Sequence, residues 1–70
     1  MQLLKWIFDE KKNCWELITK GRKFPAATVY NNGVWHTWDE SGVGGENSTE
    51  ESVQIAKIES SASAIMQGFI

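Results

Sequence analysis

Apolar and polar residues alternate in the first half of this chain and change to a three- and four-residue spacing in the second half. Residues 3–8, 14–19, 24–30 and 34–39 are short runs rich in β-branched, aromatic and other apolar residues. Turn-forming residues bound each run, which is typical of strands. The triplet NNG at 31–33 favours a tight hairpin, because Asn and Gly tolerate left-handed backbone. The pattern therefore predicts four strands joined by short turns.

The second half predicts one helix over residues 48–67. Ser48 with Glu51 fits a capping box at its start, and Gly68 is placed to end it. Apolar residues recur on one stripe of this helix, namely Ile55, Ile58, Ala62, Ile65 and Phe69. Such a stripe is expected to pack on the sheet.

The predicted fold is α+β, a four-stranded antiparallel β-meander with one C-terminal helix packed across one face. The 70 residues, 1–70, form a single domain in this prediction. Short connections favour the strand order 1-2-3-4. A chain of this size buries only about 60% of its unfolded surface. Self-association is therefore expected as a way to bury more.

Charge and composition exclude several classes of protein. The formal net charge is −2, whereas a duplex-DNA binder normally needs a basic face. The one cysteine, Cys14, permits no internal disulfide. The opening MQLLKWIF is too short for a signal peptide, and no run approaches a membrane span. We expect a cytoplasmic protein that binds neither duplex nucleic acid nor membrane.

The sequence contains few residues that could catalyse a reaction or bind a metal. His36 is the only histidine, and the predicted meander puts a strand between it and Cys14, which disfavours a Cys–His nucleophile. One histidine, one cysteine and scattered carboxylates show no metal-ligand spacing. We therefore predict no enzyme activity, no metal and no cofactor.

The glycine-rich stretch before the predicted helix allows two interpretations. Backbone N–H groups at a helix N-terminus can bind an anion, such as a phosphate of a nucleotide. The candidate ligand residues are Gly42, Gly44, Gly45, Asn47 and Ser48. Glu46 opposes an anion there, and glycine is also the ordinary residue of a chain turn. The turn interpretation is favoured, with a small anionic ligand as the alternative.

Aromatic side chains provide the other candidate surface. Trp35 and Trp38 lie in the fourth predicted strand and point to opposite faces. The helix covers one face, so one tryptophan is expected in the core and the other on an interaction surface. The candidate partner-binding residues are Trp35, Trp38, His36 and Phe69.

The segment W35-H-T-W38-D, the loop G42-V-G-G-E-N47 and the Ala/Ser-rich helix resemble the small acidic proteins encoded by phages and prophages. This resemblance implies a role in blocking a host protein or sequestering a small molecule, and it transfers no functional residue. We expect a non-enzymatic binding protein that contacts a protein partner through its aromatic and glycine surface, as a homo-oligomer. Capture of a small anionic ligand is the alternative.

Overall fold

The computed structural model of this protein describes residues 4–70, so Leu3 of the first predicted strand lies outside the described residues. Six elements follow one another: β1 (Leu4–Asp9), β2 (Cys14–Thr19), β3 (Ala27–Tyr30), β4 (Val34–Trp38), β5 (Gly44–Thr49) and α1 (Val53–Met66). The strands form one sheet in the order β1-β2-β3-β4-β5, and each neighbouring pair is antiparallel. The α+β class and the antiparallel sheet with a C-terminal helix are confirmed, but the described sheet has five strands and not four.

The fifth strand lies where the sequence predicted a loop and the start of the helix. Ser48 pairs with Trp35 and Thr49 pairs with Val34, so both residues extend the sheet. Their side chains are exposed, which is why no apolar alternation marked this strand. Pairing with the free edge of β4 satisfies backbone groups that a loop would leave to water.

The predicted helix start at Ser48 is wrong for the same reason. The N-cap is Ser52, whose hydroxyl accepts a hydrogen bond from the Ile55 backbone N–H at 3.2 Å. Ser48 and Ser52 both precede a helix-forming segment and both suit a cap. Ser48 pairs with β4 as part of β5, so Ser52 caps the helix and α1 begins at Val53.

The helix packs on the sheet with its small residues, which reverses the predicted orientation of the apolar stripe. The buried residues of α1 are Ala56, Ser60, Ser63 and Ala64. The described core face of the sheet already carries large side chains, including Leu17, Val29 and Trp35. Only small residues let the helix backbone approach such a face closely, so the isoleucines are left outside.

The two faces of the sheet differ in what covers them. Leu17, Val29 and Trp35 lie under α1. Strand alternation places Thr28 and Trp38 on the opposite face, which we call the open face.

One side chain ties the C-terminal end of the chain to the sheet. The Arg22 guanidinium donates to the backbone carbonyls of Phe69, Trp38 and Asp39, the last two at 2.8 and 2.6 Å. Charged donors form stronger hydrogen bonds than neutral ones. This clamp holds the segment after α1 against the end of β4.

Candidate functional site

The sheet separates the two tryptophans of β4. Trp35 is only 6% exposed and lies beneath α1, where its indole N–H donates to Glu50 Oε2 at 3.0 Å. Trp38 lies half-buried on the open face, and its indole N–H donates to Thr28 Oγ1 at 2.9 Å. Trp38 is therefore the member of the pair that a partner on the open face could contact.

His36 belongs to an aromatic row on the open face. Its ring stacks on Trp38 with centroids 5.6 Å apart and meets Tyr30 edge-on at 6.4 Å. The row crosses β3 and β4, because Thr28 pairs with His36 and places Tyr30 diagonally nearby. His36 and Trp38 are two residues apart in β4, so both lie on the open face.

Phe69, the remaining candidate partner-binding residue, is not part of this aromatic row. It packs against the core residues Leu17, Ala26, Ala27 and Ala64, and its carbonyl accepts from Arg22. A Cβ added at Gly45 would lie 2.7 Å from the Phe69 ring, which shows how closely the two segments pack. Phe69 docks back on the domain and does not extend the aromatic row.

The glycine stretch does not form the anion site that was the alternative prediction. Gly44, Gly45, Asn47 and Ser48 belong to β5, and α1 begins only at Val53. The helix N-terminus therefore does not face these glycines, and the geometry of an anion nest is lost. Gly42 has φ +86° and turns the chain into β5 beneath the Phe24 ring, so the turn interpretation describes it.

Cys14 and His36 do not form a nucleophile pair. β3 lies between their strands, and the register places Tyr30 opposite Cys14. The Cys14 thiol is buried; this burial, followed by the nearby Glu16 and Asp9 carboxylates, raises its pKa above 9.0. The thiol is therefore in its unreactive neutral form at physiological pH.

The side of α1 turned away from the sheet exposes a stripe of apolar residues, most of them large. We call this the outer face, and it consists of Ile55, Ile58, Ala62, Ile65 and Met66. Ile58 is 67% exposed, Ile65 is 55% exposed and Met66 is 87% exposed. Apolar area of this kind on one side of a helix is typical of an interaction surface.

The sequence contained a signal for this surface that the prediction did not use. Residues 55, 58, 62 and 65 follow the three-four spacing of a helix-pairing seam, which is narrower than the stripe of a helix packed on a sheet. The opposite side of the same helix carries Ala56, Ser60 and Ala64. When one side of a helix carries large side chains and the other carries small ones, the small side allows the closer approach to a sheet that already carries large side chains.

An acidic groove runs beside the outer face, between α1 and β5. Its volume is about 490 Å³, and Glu46, Glu50, Glu59 and Met66 are among the residues that line it. Glu46 accepts a hydrogen bond from Ser63, and Glu50 accepts the one from Trp35. These bonds hold two of the carboxylates in place beside the apolar stripe.

The helix carries one lysine, and it lies on the other side. Lys57 Nζ lies 3.6 Å from the centroid of the Trp15 ring and 5.8 Å from that of Trp6. This cation–π contact holds the ammonium away from the groove. The groove thus keeps its negative charge.

Comparison with family models, with curated proteins and with solved structures found no match to this chain. Within residues 4–70, no helix is both long and apolar enough to cross a membrane. The same residues contain no group of three His, Cys, Asp or Glu side chains placed to hold a metal ion.

Proposed function

We propose that this protein is a non-enzymatic binding protein that contacts a protein partner with the outer face of α1. The single observation that carries the proposal is the orientation of the helix, which leaves Ile58, Ile65 and Met66 outside while alanine and serine fill the interior. The contact surface predicted from sequence was the aromatic and glycine surface. The orientation of α1 moves our proposal to the helix.

The free energy available from burying the apolar stripe shows how much of the binding must come from other contacts. Burying an exposed isoleucine or methionine fully contributes roughly 1.5–3 kcal/mol. The exposed fractions of Ile55, Ile58, Ile65 and Met66 amount to about two and a half such side chains, hence roughly 4–7 kcal/mol. Association itself costs about 4–15 kcal/mol. The apolar stripe alone therefore supports only weak binding, and a specific partner needs further contacts.

The acidic groove supplies the basis for those contacts. Glu46, Glu50 and Glu59 lie along one side of the stripe. Charge complementarity across an interface raises the association rate and selects the partner. The arrangement favours an amphipathic helix whose apolar side covers the stripe and whose lysines or arginines reach the groove.

Self-association through the same stripe is the second candidate, and the seam spacing of residues 55, 58, 62 and 65 favours it. A two-fold pairing centred on the stripe places Glu59, in the middle of α1, near its own copy. Repulsion between like charges then opposes the dimer. The cytoplasmic location and the phage-type role remain predictions of the sequence.

The test uses two designed helical peptides with the same leucine pattern, one with lysine and one with glutamate at the flanking positions. We expect the lysine peptide to bind, the glutamate peptide to fail, and added salt to weaken the complex. Fluorescence anisotropy measures the affinity, and analytical ultracentrifugation measures self-association. A dimer that strengthens with salt supports the second candidate, because salt screens the repulsion between acidic copies.

Matched variants locate the contact. Ile58→Asp is expected to weaken peptide binding at least about tenfold, since it puts a charge in the seam. Ile7→Asp is the control, because Ile7 is 43% exposed on the open face. Glu59→Lys is expected to weaken binding, with Glu10→Lys in the β1–β2 turn as its control. Equal binding of both peptides, or equal loss from Ile7→Asp and Ile58→Asp, contradicts the proposal.

A further inference from the structure

A cavity of about 240 Å³ opens on the open face of the sheet, on the side opposite α1. Cys14 and Glu16 of β2 pair with Tyr30 and Thr28 of β3, so their side chains meet on this face. Trp38 reaches the same place through its hydrogen bond to Thr28. Pockets for drug-sized ligands measure about 300–1,000 Å³, so this cavity suits a chemical group and not a nucleotide.

Aromatic rings form the walls of this cavity. Phe24, Tyr30 and Trp38 all line it. The Trp38 indole is fixed, because its N–H is bonded to Thr28 and one of its faces stacks on His36. Trp38 lines the cavity, whereas His36 does not. Aromatic faces attract cations through the ring quadrupole.

Glu16 supplies a carboxylate to this cavity, whose lining also includes the opposite charge of Lys12. Its side chain is 17% exposed, and Lys12 Nζ lies 3.7 Å from its carboxylate. The Lys12 side chain is 66% exposed, and exposed ion pairs of this length contribute little stability. Lys12 is therefore a weak occupant that another cation can displace.

We propose that this cavity, lined by Phe24, Tyr30, Trp38 and Glu16, binds a methylated ammonium group. A primary ammonium needs several hydrogen-bond acceptors, whereas most of the wall of this cavity is aromatic or otherwise apolar. A trimethylammonium group needs no hydrogen bonds and places its methyl groups against aromatic faces, while its charge faces Glu16. This site is independent of the outer face of α1, because the sheet lies between them.

The test compares choline with its neutral isostere 3,3-dimethylbutan-1-ol, at constant ionic strength. Tryptophan fluorescence and amide chemical shifts report binding. We expect choline to bind at least about tenfold more tightly than the alcohol, since only choline carries the charge. Shifts are expected at the Trp38 indole and in residues 12–30 and not in α1. Equal binding of both compounds, or no response to choline through the millimolar range, overturns the proposal.

Variants assign the role of each group. Glu16→Gln is expected to weaken choline binding about fivefold or more, whereas Glu46→Gln in the acidic groove leaves it unchanged. Lys12→Ala is expected to strengthen binding, because it removes the competing ammonium. Phe24→Leu replaces an aromatic wall that is 38% exposed, so the fold should survive while choline binding falls. If Glu16→Gln and Phe24→Leu both leave choline binding unchanged, the assignment of this site is refuted.

One further experiment distinguishes two sources of the methylated ammonium group, a modified protein and a small molecule. A short peptide that contains trimethyllysine is titrated beside choline and beside the same peptide with unmodified lysine. Tighter binding of the trimethyllysine peptide than of choline identifies a modified protein as the source, and the reverse order identifies a small molecule. Preference for the unmodified peptide overturns the proposal, because the aromatic walls then contribute nothing.

Discussion

Replacing Ala64 by leucine tests which side of α1 faces the sheet. Ala64 is fully buried and packs against Leu17, Ala26 and Ala27. Leucine adds three carbon atoms at a position that is 0% exposed. The comparison variants are Ile58→Ala and Met66→Ala, which remove carbon atoms from the outer face of the same helix.

Substitutions on the two sides of the helix are expected to change the free energy of unfolding by different amounts. Overpacking at Ala64 is expected to reduce the free energy of unfolding by about 1–3 kcal/mol. A domain of this size has a total stability of roughly 3.5–10 kcal/mol, so this loss is a large fraction of it. Met66 is 87% exposed, so Met66→Ala removes about 0.3 kcal/mol of burial, and Ile58→Ala loses somewhat more. The higher helix propensity of alanine offsets both losses.

Thermal unfolding followed by circular dichroism measures these differences. In a domain of this length 1 kcal/mol corresponds to about 4–8 °C in Tm, so Ala64→Leu is expected to lower Tm by roughly 4–24 °C. The alanine variants should stay within about 3 °C of the parent protein. A leucine variant as stable as the parent, together with a large loss in Ile58→Ala, shows that the isoleucine stripe faces the sheet and refutes our reasoning.

Three further predictions concern the turns and the clamp. Arg22→Lys is expected to cost about 1.5–3 kcal/mol in urea unfolding, because lysine cannot span three carbonyls; unchanged stability contradicts the clamp. Gly33 and Gly21 have φ +87° and +86°, but a Cβ at Gly33 meets a backbone carbonyl while one at Gly21 meets nothing. Gly33→Ala should therefore lose more stability than Gly21→Ala in the same assay, and equal losses refute the close contact. The Ser41 hydroxyl, followed by nearby backbone N–H groups, holds the pKa of Asp39 below 3.8. This carboxylate therefore contributes stability above pH 3.8 that is lost as the pH falls through the lower folded pKa. Asp39→Asn should flatten that acid limb in denaturant unfolding, and an unchanged limb contradicts the assignment.

The strands that carry apolar residues could be predicted from sequence, whereas β5 could not. β2 spans Cys14–Thr19, which are the residues that the pattern indicated. β5 reads GGENST, without alternation or β-branched residues before Thr49. Its position depends on the free edge of β4, which is a partner that lies outside the segment itself. Local patterns carry no information about such a partner.

The orientation of α1 shows a second limit. An apolar stripe indicates which residues avoid water, but it does not say which surface covers them. Here Leu17 and Val29 fill the space above the sheet, so Ala56 and Ser60 suit the contact better than isoleucine does. The candidate surface on the helix therefore became visible only when the two sides were compared. The cavity on the open face needed the register of three strands as well as the sequence.

Coverage of the core face by a single helix also has a consequence for folding. All five strands of the described residues precede α1, so an intermediate in which the sheet forms before α1 docks leaves the core face uncovered. In such an intermediate Leu17, Val29 and Trp35 lack their cover, and the exposed apolar face favours aggregation.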